Sequence, residues 1–239
     1  MQCVVLAGGL GTRMRPLTET VPKVLLPVLG VPFLDHQLRW LSTHGVTEVV
    51  LSVGYLGEMV EAHLAFATPP GLSVRIVHEG PTLLGTAGAL RLACDRGYLA
   101  EEFLLTYGDS YLPVDFGAIG RAFRESGRAA LMSVFKNDGR WDTSNVVYDA
   151  QRHLVTLYDK KRVLLPISEF RYIDYGLSAF ARETVLREIP SSTKYDLAEV
   201  FQGLSLRGEL AGAEVFERFY EVGSPQGLSD LEKHLEGGT

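Results

Sequence analysis

Cys3-Val4-Val5-Leu6-Ala7-Gly8-Gly9-Leu10-Gly11-Thr12-Arg13-Met14-Arg15-Pro16-Leu17-Thr18 opens as an apolar run and is broken at once by glycines; its reading decides the fold. A short valine-rich run predicts a strand buried on both faces, and Gly8-Gly9 stops it because glycine enters turn conformations without steric cost. Downstream, Leu34, Leu38 and Leu41 recur at helical spacing after Pro32, Gly45 is a stop signal, and 48–53 reads as the next strand. That is one complete strand, helix, strand unit, the building block of a parallel sheet covered on both faces. The pattern continues with a helix near 58–64, a strand at 73–78, a helix at 86–94 and a strand at 103–107 that delivers Gly108-Asp109. The second half is less regular. Helices are expected at 116–124, 182–189, 197–206 and after Pro225, and strands at 129–135, 146–148, 155–158 and 172–180, which together predict a mixed sheet.

The chain has 239 residues, a length that suits one large α/β domain, and no linker, repeat or low-complexity tract divides it. We read residues 1–239 as a single domain, with a nucleotide-sized lobe at 1–110 and a second lobe at 111–239. With 23 Lys+Arg against 29 Asp+Glu, the formal net charge of -6 argues against a broad nucleic-acid footprint. Any phosphate site must therefore be local. Two cysteines, Cys3 and Cys94, are too few for a disulfide framework and lie in no zinc-binding pattern, so a reducing cytoplasm is expected. No apolar stretch approaches the ~18 residues of a membrane span, and no basic segment precedes the first apolar run as in a signal peptide.

Local charge points to where phosphate binds. Residues 1–26 carry Arg13, Arg15 and Lys23 against Glu19 alone, a local +2 inside a chain of -6. Glycines at a strand end let backbone N–H groups approach an anion, and a triphosphate is the natural guest. The turn matches neither the dinucleotide G-x-G-x-x-G nor the Walker G-x-x-x-x-G-K-[ST] pattern, so its cations carry the argument. Arg13 offers a guanidinium fork and Lys23, fixed by Pro22, a point charge. Asp109 closes a strand where a carboxylate faces the crevice at the sheet's carboxyl end; an Asp after Gly is also a common turn former.

The run from Leu6 to Thr18, followed by Pro22-Lys23-Val24-Leu25-Leu26-Pro27-Val28, closely resembles the signature of the sugar-1-phosphate nucleotidyltransferases, or nucleotide-sugar pyrophosphorylases. The resemblance extends through Gly85-Thr86-Ala87-Gly88-Ala89, Gly108-Asp109, Tyr175-Gly176-Leu177 and Tyr220-Glu221-Val222-Gly223. It implies an α/β fold, a Rossmann-like three-layer α/β/α sandwich with a mixed, mostly parallel sheet. It also implies an enzyme that joins a nucleoside triphosphate to a sugar 1-phosphate and releases pyrophosphate, with Mg2+ as cofactor. Arg13, Lys23 and Asp109 are then the catalytic residues. Leu6, Ala7, Gly8, Gly9, Gly11, Thr12, Gly85 and Thr86 line the nucleotide, with Glu79 reading base edges. Asp109 and Glu221 are the metal ligands, Glu221 standing where the family usually has Asp. On the sugar side the resemblance points to Asp159, Lys160, Gly176 and Asp196 in the 111–239 lobe.

Two sugar-side positions carry a second reading. The family's Glu-Lys-Pro appears here as Asp159-Lys160-Lys161, so either lysine fits the sugar phosphate, and Asp196 is equally a helix N-cap. The compact chain resembles heptose- and mannose-1-phosphate guanylyltransferases. Alternatives are a uridylyltransferase on an amino-sugar 1-phosphate, a cytidylyltransferase on a non-sugar phosphate, and a non-catalytic nucleotide-sugar-binding homologue. The expected partners are the two small-molecule substrates, with no nucleic acid or membrane; a homo-oligomer is compatible with this reading.

Overall fold

Residues 1–80 and 82–237 are described by the computed structural model. The first half runs β1 (Gln2–Ala7), β2 (Pro27–Val28), β3 (Val31–Pro32), α1 (Phe33–Thr43), β4 (Glu48–Val53), α2 (Gly57–Ala67), β5 (Ser73–His78), α3 (Gly85–Asp95) and β6 (Glu102–Tyr107). The second half continues with β7 (Ser110–Tyr111), α4 (Phe116–Ser126), β8 (Ala130–Lys136), β9 (Val146–Asp149), β10 (Leu154–Tyr158), β11 (Tyr172–Ala181), α5 (Arg182–Glu188), α6 (Leu197–Leu206), β12 (Leu210–Val215), β13 (Tyr220–Glu221) and α7 (Pro225–Gly237). Among the described residues no helix is long and apolar enough to cross a membrane.

Alternation along the strands builds two cores, because successive side chains leave opposite faces of a sheet. Val4, Leu6, Val50 and Leu105 face one way, against Leu90 of α3, Val185 of α5 and Phe201 of α6. Cys3, Val5, Leu51 and Leu104 face the other, against Leu38 of α1, Val60 of α2 and Phe123 of α4. Helices on both faces of one sheet make the three layers anticipated from the sequence. A smaller cluster seats α7 through Leu231 on Phe33, Tyr111 and Val222.

The main sheet has the order β5-β4-β1-β6-β11-β8-β12-β10-β9. β5, β4, β1 and β6 are parallel. Beyond β6 the sheet is mixed: β11 runs antiparallel to β6 and β8, and of the remaining neighbours only β8 and β12 are parallel. β9 and β10 are joined by four residues, too few for a crossover, so they pair antiparallel. The parallel character implied by the resemblance thus belongs chiefly to the first half. β1 lies between β4 and β6, and the chain reverses its progress across the sheet there. Such a switch point opens a crevice at the carboxyl ends of the strands, where the segment after β1 meets Gly108-Asp109 after β6; Gly108 N–H donates to the Leu6 carbonyl at 2.8 Å.

β12 was not anticipated. Leu210-Ala211-Gly212-Ala213-Glu214-Val215 has low strand propensity, yet it pairs with β8 along its whole length. The small residues serve packing: a Cβ on Gly212 would lie 2.4 Å from Cε2 of Tyr148, whose ring covers the strand. Gly212→Val is expected to lower the unfolding free energy by roughly 1–3 kcal/mol through overpacking, read as a shifted urea midpoint at unchanged slope.

Candidate active site

A cleft of about 330 Å3 opens at the switch point. It brings together Leu6, Ala7, Gly8, Gly9, Gly11, Thr12, Arg13, Lys23, Glu79, Gly85, Thr86 and Asp109, residues from four separate parts of the chain. The connection from β1 supplies the glycines and Arg13, a short turn at Lys23–Leu25 supplies the lysine, and the start of α3 closes the opposite wall.

Charges of both signs are interleaved here. Lys23 Nζ donates to Asp109 Oδ2 at 2.5 Å, with both side chains mostly buried. β13 pairs antiparallel with β7, setting Glu221 opposite Ser110, and Val222 N–H donates to the Asp109 carbonyl at 2.9 Å. This pairing brings the Glu221 carboxyl beside Asp109. Burial pushes its pKa up and the Asp109 charge adds to the rise, while Arg13 and Lys23 oppose it. Arg13 packs on Gly223, where a Cβ would come 3.1 Å from Nη2 and 3.3 Å from the Glu221 carboxyl carbon.

Gly8 is demanded by a close approach. A Cβ there would lie 1.8 Å from Glu79 Oε1, so the carboxylate rests directly on the glycine turn. Its other oxygen accepts the Leu84 N–H at 3.0 Å, which ties the end of β5 to the start of α3. Burial raises the Glu79 carboxyl and the Leu84 hydrogen bond partly offsets it.

The sugar-side candidates lie outside this cleft. Asp196 caps α6 by accepting Ala198 N–H at 3.0 Å, and it also accepts Thr86 Oγ1 at 3.1 Å and Lys160 Nζ at 2.8 Å. Both sequence readings of Asp196 therefore meet in one carboxylate: it is a cap, and it joins Lys160 to the cleft wall. Asp159 has a different task from the one expected of it. It is 1% exposed, and its oxygens accept the N–H groups of Lys161, Val163 and Leu164, so it holds the turn. Gly176 sits at φ +96 in a register shift of β11, and its carbonyl accepts Thr106 Oγ1 at 2.9 Å.

A family model described as nucleotidyl transferase matches residues 2–236. The chain belongs to that family. A Xenopus laevis protein named mannose-1-phosphate guanyltransferase beta-B is 30% identical over 230 residues, covering 95% of this chain and 62% of the relative. A Synechocystis UTP--glucose-1-phosphate uridylyltransferase is 27% identical over 237 residues, covering 94% and 56%. The chain thus spans between half and two thirds of these relatives. Among solved structures, the inositol-1-phosphate CTP transferase from T. maritima is 25% identical, with a TM-score of 0.77 over 98% of this chain and 94% of that one.

Two residues in and near this cleft escaped the sequence reading. Tyr107, the last residue of β6, lines the cleft. Asp174 lies two residues before Gly176 on the shifted stretch of β11 and accepts Gly176 N–H at 3.0 Å; with Gly176 at φ +96 the strand period is broken there, so alternation gave no signal. Burial pushes the Asp174 carboxyl up to about 6, against the lowering effects of Gly176 N–H and Lys160. An acid with a raised folded pKa holds its proton longer folded than unfolded, so its contribution to stability falls as pH rises from about 4 to 6. Asp174→Asn is therefore expected to be more stable than the parent at pH 8, by up to about 3 kcal/mol for a rise from 3.8 to about 6 at about 1.4 kcal/mol per pH unit. Thermal melts should show the gain vanishing near pH 3.5.

Proposed function

We propose that this chain joins GTP to a mannose- or heptose-type sugar 1-phosphate, forming a GDP-sugar and releasing pyrophosphate in the cytoplasm. The observation that carries the reading is the convergence of Arg13, Lys23, Asp109 and the glycine turn on one crevice at the sheet's switch point. An oxygen of the sugar phosphate attacks the α-phosphorus, the bond to the oxygen bridging to the β-phosphorus breaks, and pyrophosphate leaves with that electron pair. Both reactants are anions, so positioning and charge neutralisation carry catalysis. Glycine N–H groups cradle the triphosphate, and Arg13 and Lys23 balance its charge.

The residues fit Mg2+. Two carboxylates share one place, the charge of Asp109 pushing up the pKa of Glu221, which is a setting a cation relieves. Two carboxylates from the protein suit an ion that keeps waters and phosphate oxygens as its remaining ligands. Asp109 and Glu221 would hold it, and when bound it supplies positive charge to the reacting phosphates.

Glu79 supports guanine. An ionised carboxylate only accepts hydrogen bonds, and guanine presents two adjacent donors, N1–H and the N2 amino group, on its pairing edge. Uracil presents one donor between two carbonyls and suits an amide better. On the acceptor side, Lys160, released from Asp196, would meet the sugar phosphate, with Gly176 beside the sugar.

Pyrophosphate release measured across GTP, UTP, CTP, dTTP and ATP with several sugar 1-phosphates tests the whole reading. GTP with mannose or heptose 1-phosphate is expected to lead, and a lead by UTP or CTP would favour the chemistry named for two of the relatives. Asp109→Asn should lower kcat by about 10²-fold or more with a near-native melting temperature; near-normal turnover would show the cation placed wrongly. Glu79→Gln should reduce the GTP-over-UTP ratio of kcat/KM by about tenfold, the worth of a hydrogen bond to a charged group.

A further inference from the structure

A second hollow of about 550 Å3 lies between residues 138–144 and 162–171, outside the nucleotide cleft. Arg140, Arg162 and Arg171 line it together with Asp138, Asp142 and the half-exposed ring of Trp141. Arg171 is paired with Asp138 at 3.2 Å. Among the described residues, the guanidinium groups of Arg140 and Arg162 have no hydrogen-bond or ion-pair partner. Three arginines against two aspartates leave this groove positive in a chain of net charge -6.

Both walls are built on buried polar side chains. Asn137, 0% exposed, donates from Nδ2 to the Asp142 carbonyl at 2.5 Å and to Ser144 Oγ at 3.1 Å, and its Oδ1 accepts the Trp141 N–H at 3.1 Å. Buried Asp159 organises the other wall, as described above. Its carbonyl accepts Arg162 N–H at 3.1 Å, and Arg162 is held at φ +53, a conformation that side-chain-bearing residues avoid and that persists only where the surroundings impose it. Two fixed loops thus present unpaired guanidinium forks to one space.

Two contacts tie the groove to the acceptor side: Arg162 stands two residues after Lys160 on the turn that Asp159 holds, and Arg218 bridges Trp141 to the strand that carries Glu221. Arg218 stacks over Trp141 at 3.8 Å from the ring centroid and over Tyr220 at 4.8 Å. Tyr220 precedes Glu221, whose carboxyl feels the charge of Asp142. The groove thus adjoins the turn of Lys160 on one side and the Tyr220–Glu221 strand on the other. Guanidinium forks match carboxylate and phosphate geometry.

We propose that the arginine groove receives a second anionic substituent, a phosphate or carboxylate, carried by the sugar 1-phosphate acceptor. This rests on the proposed reaction for the identity of the acceptor, but the groove itself is read from binding. The substituent reaches Arg140 and Arg162 from the sugar ring, while the 1-phosphate stays on the side of Lys160. The surface is open, so the contribution falls as salt rises.

Calorimetric titration of the full chain with hexose 1-phosphate, hexose 1,6-bisphosphate and hexuronic acid 1-phosphate tests this at 20 mM and 300 mM NaCl. One of the two ligands that carry a second anionic group is expected to bind about tenfold tighter than hexose 1-phosphate at low salt. The preference should shrink at high salt and disappear in Arg140→Ala/Arg162→Ala, with circular dichroism confirming that the variant is folded. Equal affinities, or a preference that survives in the double variant, would overturn the proposal. So would tighter binding of hexose 1-phosphate on adding inorganic phosphate, since the groove would then serve a free anion. Pyrophosphate release with the same ligands is scored separately: binding preference without release refutes the reaction and leaves the groove standing, while release without preference does the reverse.

Discussion

The contact between Lys23 and Asp109 joins the two ends of the crevice. The lysine follows the glycine turn after the first strand, the aspartate stands just past the fourth parallel strand, and the two are 86 positions apart in the chain. Gathering two acids in a half-buried place is unfavourable unless cations stand among them. Lys23 and Arg13 do that, and the price is a site whose charges are satisfied only in part. In the proposed reaction a triphosphate with its divalent partner would bring the complementary set: anions for Arg13 and Lys23, a cation for Asp109 and Glu221. On that proposal the electrostatics that lets the chain fold also prepares it for the exchange.

Much of the fold could be read directly because its strands are buried on both faces and its helices follow short breaks. The 48–53 and 73–78 strands and the 197–206 helix match β4, β5 and α6 end to end. β12 was invisible for the opposite reason. Its Ala-Gly-Ala centre carries little apolar or β-branched signal, since the space above it belongs to Tyr148. The two-residue strands β7 and β13 are too short to show any period, although their pairing is what sets Glu221 beside Asp109.

At the site, residues contiguous in sequence were easier to place than those assembled by topology. Arg13, Lys23 and the glycines announced themselves by a cluster of positive charge in an acidic chain. Asp159 entered through its match to the family's Glu-Lys-Pro, and its backbone role was not legible there; three N–H groups converge on it only after the turn has formed. Asp196 shows that capping and positioning are not exclusive. One carboxylate starts α6, receives Thr86 and holds Lys160.

β11 belongs to both halves of the molecule. Toward its C-terminus it pairs with β6, and at Tyr172 it also meets Val146 of β9 while running beside β8. The five strands β11, β8, β12, β10 and β9 therefore close on themselves, and the closed set is riveted to the parallel strands through one shared backbone. A hinge between the halves would have to tear that shared ladder. Adaptation to differently shaped acceptors must then come from exchange of the loops at its rim, leaving the chassis underneath untouched.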